Sequence, residues 1–144
     1  MFYNIFSNEL SYWFKRPAFY IYAIIFLAIG LFSSGASAGL FDSITATVGS
    51  SRVVNSPYAI FGLFAGLSSL IIFLYPSIIG VSIYRDYKSD VHYILYSYPF
   101  TKTQYLFAKF LSGVFIVHLI IIIIAFSISL GFILPGTNPD LLKP

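Results

Sequence analysis

Three apolar runs divide this sequence, each long enough to cross a bilayer. The first extends from Ala18 to about Ala36, the second from Pro57 to about Tyr84, and the third from about Tyr105 to Leu134, with "LIIIIIAF" inside it. A spanning helix needs about 20 predominantly apolar residues. Only 9% of the 144 residues are charged and 58% are hydrophobic, where a soluble domain carries about 25% charged residues. Too little polar surface exists to cover a globule, so the expected solvent for most of the chain is the lipid bilayer and the expected class is an all-α membrane protein.

The ends of the runs carry start and stop signals. Pro17 precedes the first run and Pro57 opens the second, and a proline is tolerated in a first helical turn because its missing N–H has no partner there. Ser56 is placed to cap the second helix, and Pro135-Gly136 should stop the third. Most of the 12 tyrosines and the single tryptophan fall near run ends, as in the aromatic belts of membrane proteins. Lysine and arginine mark the cytoplasmic side. Lys15 and Arg16 flank the first run, and Arg85, Lys88, Lys102 and Lys109 gather between the second and third. The 35–56 loop holds Arg52 against Asp42 and the tail Lys143 against Asp140. This asymmetry predicts a multi-pass protein of the cell membrane with a cytoplasmic N-terminus, a cytoplasmic 85–104 linker and an outward 35–56 loop. No face gathers the basic residues of a nucleic-acid site, and the absence of cysteine excludes disulfides and thiolate chemistry.

Residues 1–16 precede the first run with a pattern of their own. Phe2, Ile5, Phe6, Leu10, Trp13 and Phe14 share one face of a helical wheel, and Asn4, Ser7, Asn8, Ser11 and Lys15 the other. That is the pattern of a helix lying in the membrane interface. It argues against reading Lys15-Arg16, the apolar run and Ala36-Ser37-Ala38 as a cleavable signal peptide, whose apolar region is also shorter, about 7–15 residues. Glu9 falls near the centre of the apolar face, where a carboxylate should have a cationic partner. Three outcomes are open: pairing with Arg16 on the same helix, snorkelling to water, or pairing with Arg85 at the neighbouring cytoplasmic helix end.

Charge is dense only in "RDYKSDVHYILYSYPFTKTQY", residues 85–105. Ser89 or Asp90 can cap a short helix in which Val91, Ile94, Leu95 and Tyr98 recur at helical spacing, and Pro99 breaks it. Thr101 and Gln104 then form a T-x-x-Q capping box, with Phe100 and Tyr105 where a hydrophobic staple would pack. A short interfacial connector and a docking element for a cytosolic partner both fit this pattern.

The order of an interfacial helix, a span, an outer loop, a span, a short cytoplasmic helix and a span resembles the first half of a permease subunit of the type-two family of ABC exporters. Arg85-Asp86, Leu95, Pro99-Phe100-Thr101-Lys102 and Tyr105-Leu106 match that family's linker, and "FKRPAFYIY" and "VVNSPYAI" look like a bacterial subgroup in which the permease precedes a zinc aminopeptidase domain. The resemblance covers essentially all 144 residues through loose motifs, and His92-Tyr93 stands where many relatives carry Thr-Glu. It implies that the short helix is a coupling helix, with Asp90, Val91, Ile94, Leu95 and Tyr98 docking on a separate ATP-binding subunit, and that a second permease half or a homodimer completes the transporter. The chain has no G-x-x-x-x-G-K-[ST] phosphate loop and no H-E-x-x-H, so no cofactor and no enzymatic step are expected in these residues. Three spans are few to enclose a path, and a longer protein is expected. The competing class is a small membrane anchor or helper subunit that oligomerises through its spans.

A few polar and irregular positions remain inside the runs. His92 and His118 lack a nearby ligand set for a metal. His118 lies within the third run, where a polar group usually faces the bundle interior; Ser68, Ser69 or a backbone carbonyl of a neighbouring helix is the expected partner, and a role lining a substrate path is the alternative. Pro76 and Gly80 interrupt the second run, as a static kink or as a hinge. Gly62, Gly66, Ser68, Ser112 and Gly113 are small enough for close helix contact.

Overall fold

The structure, a computed structural model, describes residues 2–41, 54–89 and 101–142. These residues build an all-helical membrane protein: α1 (Phe2–Lys15), α2 (Pro17–Ser37), α3 (Pro57–Ile71), α4 (Leu74–Lys88), α5 (Lys102–Gly131) and a short 3-10 turn, Pro139–Leu141. Among the described residues three segments are long and apolar enough to span a membrane: Pro17–Ser37, Pro57–Lys88 and Lys102–Gly131. The outward side chains are large and apolar, with Ile24, Phe61, Phe73, Ile122 and Phe126 all exposed. Such a surface is costly in water and suits lipid.

Helix ends follow the sequence signals in part; α4 runs on to Lys88, past the expected end at Tyr84, and α5 starts at Lys102, before Tyr105. Ser56 Oγ accepts the Ala59 N–H at 3.3 Å, and Thr101 Oγ1 accepts the Gln104 N–H at 3.3 Å, so both N-terminal caps form. The second span is broken at Ile72-Phe73, earlier than Pro76 itself. The reason is steric: a proline ring clashes with the carbonyl four residues back, which here is that of Ile72. The third span, α5, ends at Gly131 rather than Leu134, and Gly131 is again four residues before a proline, Pro135. Ser89 closes α4, its N–H and Oγ both donating to the Arg85 carbonyl, at 3.1 and 2.8 Å; the short helix expected after it lies outside the described residues.

The chain forms two compact units, Met1–Tyr20 with Ile71–Leu119, and Ile21–Leu70 with Ile120–Pro144. In the second unit α2 and α5 approach through small residues. A Cβ added to Gly30 would lie 1.8 Å from Ser127 Oγ, and one added to Gly131 would lie 1.8 Å from Ser34 Oγ. Gly30-x-x-x-Ser34 and Ser127-x-x-x-Gly131 are therefore two reciprocal small-residue pairs, and their matched order makes the two helices parallel. Gly66, by contrast, has nothing within 4 Å of an added Cβ. Gly39 adopts φ +76° and closes α2 with the Leu40 N–H on the Gly35 carbonyl and the Gly39 N–H on that of Ala36, at 3.0 and 3.3 Å. This is the glycine-dependent Schellman cap, and it leaves Ala36 and Ala38 buried. The Asn138 N–H donates to the Ala38 carbonyl at 2.9 Å and the Val54 N–H to that of Leu141 at 3.0 Å, tying the 3-10 turn to this end of the unit.

In the first unit Trp13, Ile78, Ala108, Ile116 and Val117 are buried. Gly113 of α5 lies against Ile79 of α4, whose Cγ1 would be 2.7 Å from an added Cβ. Phe2 and Phe6 of α1 pack on Phe107 and Phe115 of α5, with ring centroids 6.1 and 6.2 Å apart.

Candidate functional site

The close approach of α1, α4 and α5 in the first unit encloses a network of charged side chains. Ser82, Arg85 and Asp86 sit at i, i+3 and i+4 on α4, and Tyr105 and Lys109 at i and i+4 on α5. These spacings place each set on one helix face. Glu9 enters from the apolar face of α1 and is buried.

Lys109 occupies the centre and is 1% exposed. Its ammonium has three hydrogens and three close acceptors: Asp86 Oδ2 at 2.6 Å, Glu9 Oε1 at 2.9 Å and the Ser82 carbonyl at 2.8 Å. Glu9 Oε1 also receives Arg85 Nη2 at 2.5 Å, and its Oε2 receives Ser82 Oγ at 2.9 Å. Asp86 Oδ1 takes Arg85 Nε at 3.3 Å, and Oδ2 accepts the Tyr105 hydroxyl. Two carboxylates face two cations, so the network is neutral as a whole. Isolated, any one of these charges would be expensive at membrane depth; together they satisfy one another.

Tyr12 of α1 forms one wall. The Arg85 guanidinium carbon lies 3.8 Å from the centre of its ring and that of Arg16 lies 4.3 Å from it. Arg85 Nη1 is buried with no hydrogen-bond partner among the described residues, and the π-face of Tyr12 is what it has instead.

Of the two partners open to Glu9 from the sequence, the structure brings up Arg85, while Arg16 is exposed and stacks on Tyr12. Lys109, Asp86, Ser82 and Tyr105 join the same network, a partnership with Glu9 that the sequence did not assign to them. The signal for them is an inventory: Lys109 lies inside an apolar run, Arg85-Asp86 ends another, Glu9 interrupts an apolar face, and their charges sum to zero.

Other positions fall elsewhere. Asp90, Val91, Ile94, Leu95, Tyr98 and Pro99 lie outside the described residues, as does the short helix expected to carry them. Thr101 and Gln104 form the start of α5. His118 does not face an interior: it is exposed, and its Nδ1 lies 2.8 Å from the Val114 carbonyl of its own helix. That bond answers one ring nitrogen without any neighbouring helix, so the ring need not turn inward.

The network offers no free nucleophile, and no group of three His, Asp or Glu side chains able to hold a metal occurs among the described residues. What it can do is mechanical. It joins the last turn of α4 to the first turns of α5 and to α1, on either side of residues 90–100. Comparison with protein-family models, with curated proteins and with solved structures returns no match.

Proposed function

We propose that this chain is the membrane-spanning permease component of an ABC exporter, moving its substrate with ATP hydrolysed by a separate cytosolic subunit. The observation that carries the reading is the Asp86–Lys109 contact at 2.6 Å. A segment that passes on a push must have its two ends held, and here Asp86, Tyr105 and Lys109 brace the helices on both sides of residues 90–100, with Glu9 and Arg85 fixing that brace to α1. On this reading residues 89–98 dock on the ATP-binding subunit, Leu95 is at the centre of the contact, and movement there reaches α4 and α5 as one body. The N-terminus and the linker face the cytoplasm, as the Lys/Arg asymmetry requires, and a second permease half or a second copy completes the path.

The test is co-expression of the full-length protein with its ATP-binding subunit. Leu95→Asp places an unpaired carboxylate in an apolar contact. It should lose copurification of the ATPase and lose transport while the protein stays in the membrane. Normal copurification and normal transport would reduce residues 85–104 to a connector and remove the basis of the proposal.

A further inference from the structure

His118 is a polar side chain on the outside of a membrane-spanning helix. It lies nine residues beyond Lys109 in α5, about 13 Å along the axis at 1.5 Å per residue, where half of the hydrocarbon core is about 15 Å. If the Lys109 network marks the edge of that core, the imidazole is close to mid-depth. Around it Phe6, Leu111, Val114 and Phe115 line a shallow groove that is otherwise apolar, with one wall fixed by the edge-to-face contact of Phe6 and Phe115.

The ring's hydrogen bond specifies what can cover it. A carbonyl only accepts, so the bond to Val114 places the hydrogen on Nδ1 and makes Nε2 of the neutral ring an acceptor. No described residue supplies that nitrogen with a donor. Lipid tails supply none either, and an unanswered polar group in hydrocarbon is costly. A symmetry mate of α5 laid in the groove would bring a second His118 to the same depth, acceptor against acceptor. The complement of this groove is therefore an apolar helix with one hydrogen-bond donor at mid-depth.

We propose that the groove of Phe6, Leu111, Val114, Phe115 and His118 seats a membrane-spanning helix of a partner polypeptide, which donates a hydrogen bond from a hydroxyl, amide or indole group to His118 Nε2. The inference needs only the membrane-spanning character of α5 and stands apart from the permease reading.

Because the chain has no cysteine, a single Leu111→Cys reports on the groove, and Phe110→Cys, exposed beside it on α5 but outside the groove, reports on bare lipid-facing surface. Each full-length variant is treated with a lipid-soluble maleimide, in native membranes and after purification into phosphatidylglycerol–phosphatidylethanolamine liposomes. Leu111→Cys should react roughly tenfold more slowly in native membranes than in liposomes, with Phe110→Cys reacting alike in both. Adding His118→Leu should abolish the protection, and adding His118→Gln, which keeps an acceptor, should retain it. The proposal is overturned if Leu111→Cys reacts equally fast in both settings, or if it is slow in both, which would mean that a second copy or a further span of the same chain covers the groove. Protection that survives His118→Leu would also overturn it.

Discussion

Lys109 Nζ lies 2.6 Å from Asp86 Oδ2, joining the helix that enters the 90–100 stretch to the helix that leaves it. Lys109 is among the most buried side chains of the chain, and it is held by Asp86, Glu9 and the Ser82 carbonyl at once. A buried pair is not in itself a source of great stability, because desolvation offsets much of the attraction, but removing one partner strands the other. The network therefore acts as a specification: α1, α4 and α5 meet in one arrangement that satisfies four charges.

Glu9→Gln leaves Arg85 and Lys109 sharing Asp86 alone. It should destabilise the protein by about 3–5 kcal/mol, the range for breaking a buried pair. Arg16→Ala removes only an exposed stack on Tyr12 and should cost about 1 kcal/mol or less. Thermal unfolding of both variants in detergent checks the pair. Equal effects would mean that Glu9 draws its partner from its own helix after all.

The reciprocal small-residue contact of α2 and α5 makes a second contrast. Gly30→Val drives methyl groups into Ser127 and should cost about 1–3 kcal/mol, as overpacking does. Gly66→Ala meets open space and, in a helix, gains about 0.5–1 kcal/mol through reduced chain entropy. Unfolding measurements should therefore move in opposite directions for two glycines of equally apolar spans.

The Thr101 cap is a local effect. Thr101→Ala removes the acceptor for the Gln104 N–H and should lower stability by about 1 kcal/mol. Hydrogen exchange should rise at residues 102–105 and stay unchanged at residues 116–124. A uniform rise would show that the cap also positions distant elements.

Orientation follows from where the basic residues sit. A reporter fused after Ser50 should read as outside the cytoplasm, and one fused within residues 86–90 as inside, by the Lys/Arg asymmetry of the flanking segments. A cytoplasmic signal after Ser50 would reverse the assignment.

Much of the helical plan was legible in the sequence because it depends on length, proline position and capping residues, all local. The starts of α3 and α5 at Ser56 and Thr101 are of this kind. The exact breaks were less so, because Pro76 and Pro135 act on the carbonyl four residues before them rather than where they stand. Which face of α5 is buried was not legible at all. Ile120, Ile122 and Ile124 are equally apolar, yet Ile120 and Ile124 are buried and Ile122 is exposed; in a lipid solvent, hydrophobicity no longer separates inside from outside. Gly30 and Gly131 were missed for a related reason, since a small residue matters only when its partner is known. For Glu9 the sequence showed the need for a cation. That Lys109 and Asp86 complete the set depends on α1 lying across α4 and α5, which is tertiary information.

The most direct test of the brace is a double-mutant cycle on Asp86 and Lys109, with Asp86→Asn, Lys109→Met and the double variant unfolded under identical detergent conditions. Each single change strands a charge that the double change removes along with its partner, so the two costs should overlap. The account predicts that the double variant is less destabilised than the sum of the singles by about 1.5–3 kcal/mol, at the upper part of the range for residues in one network. Costs that add to within about 0.5 kcal/mol, the behaviour of independent sites, would mean that Asp86 and Lys109 do not hold the two helices together.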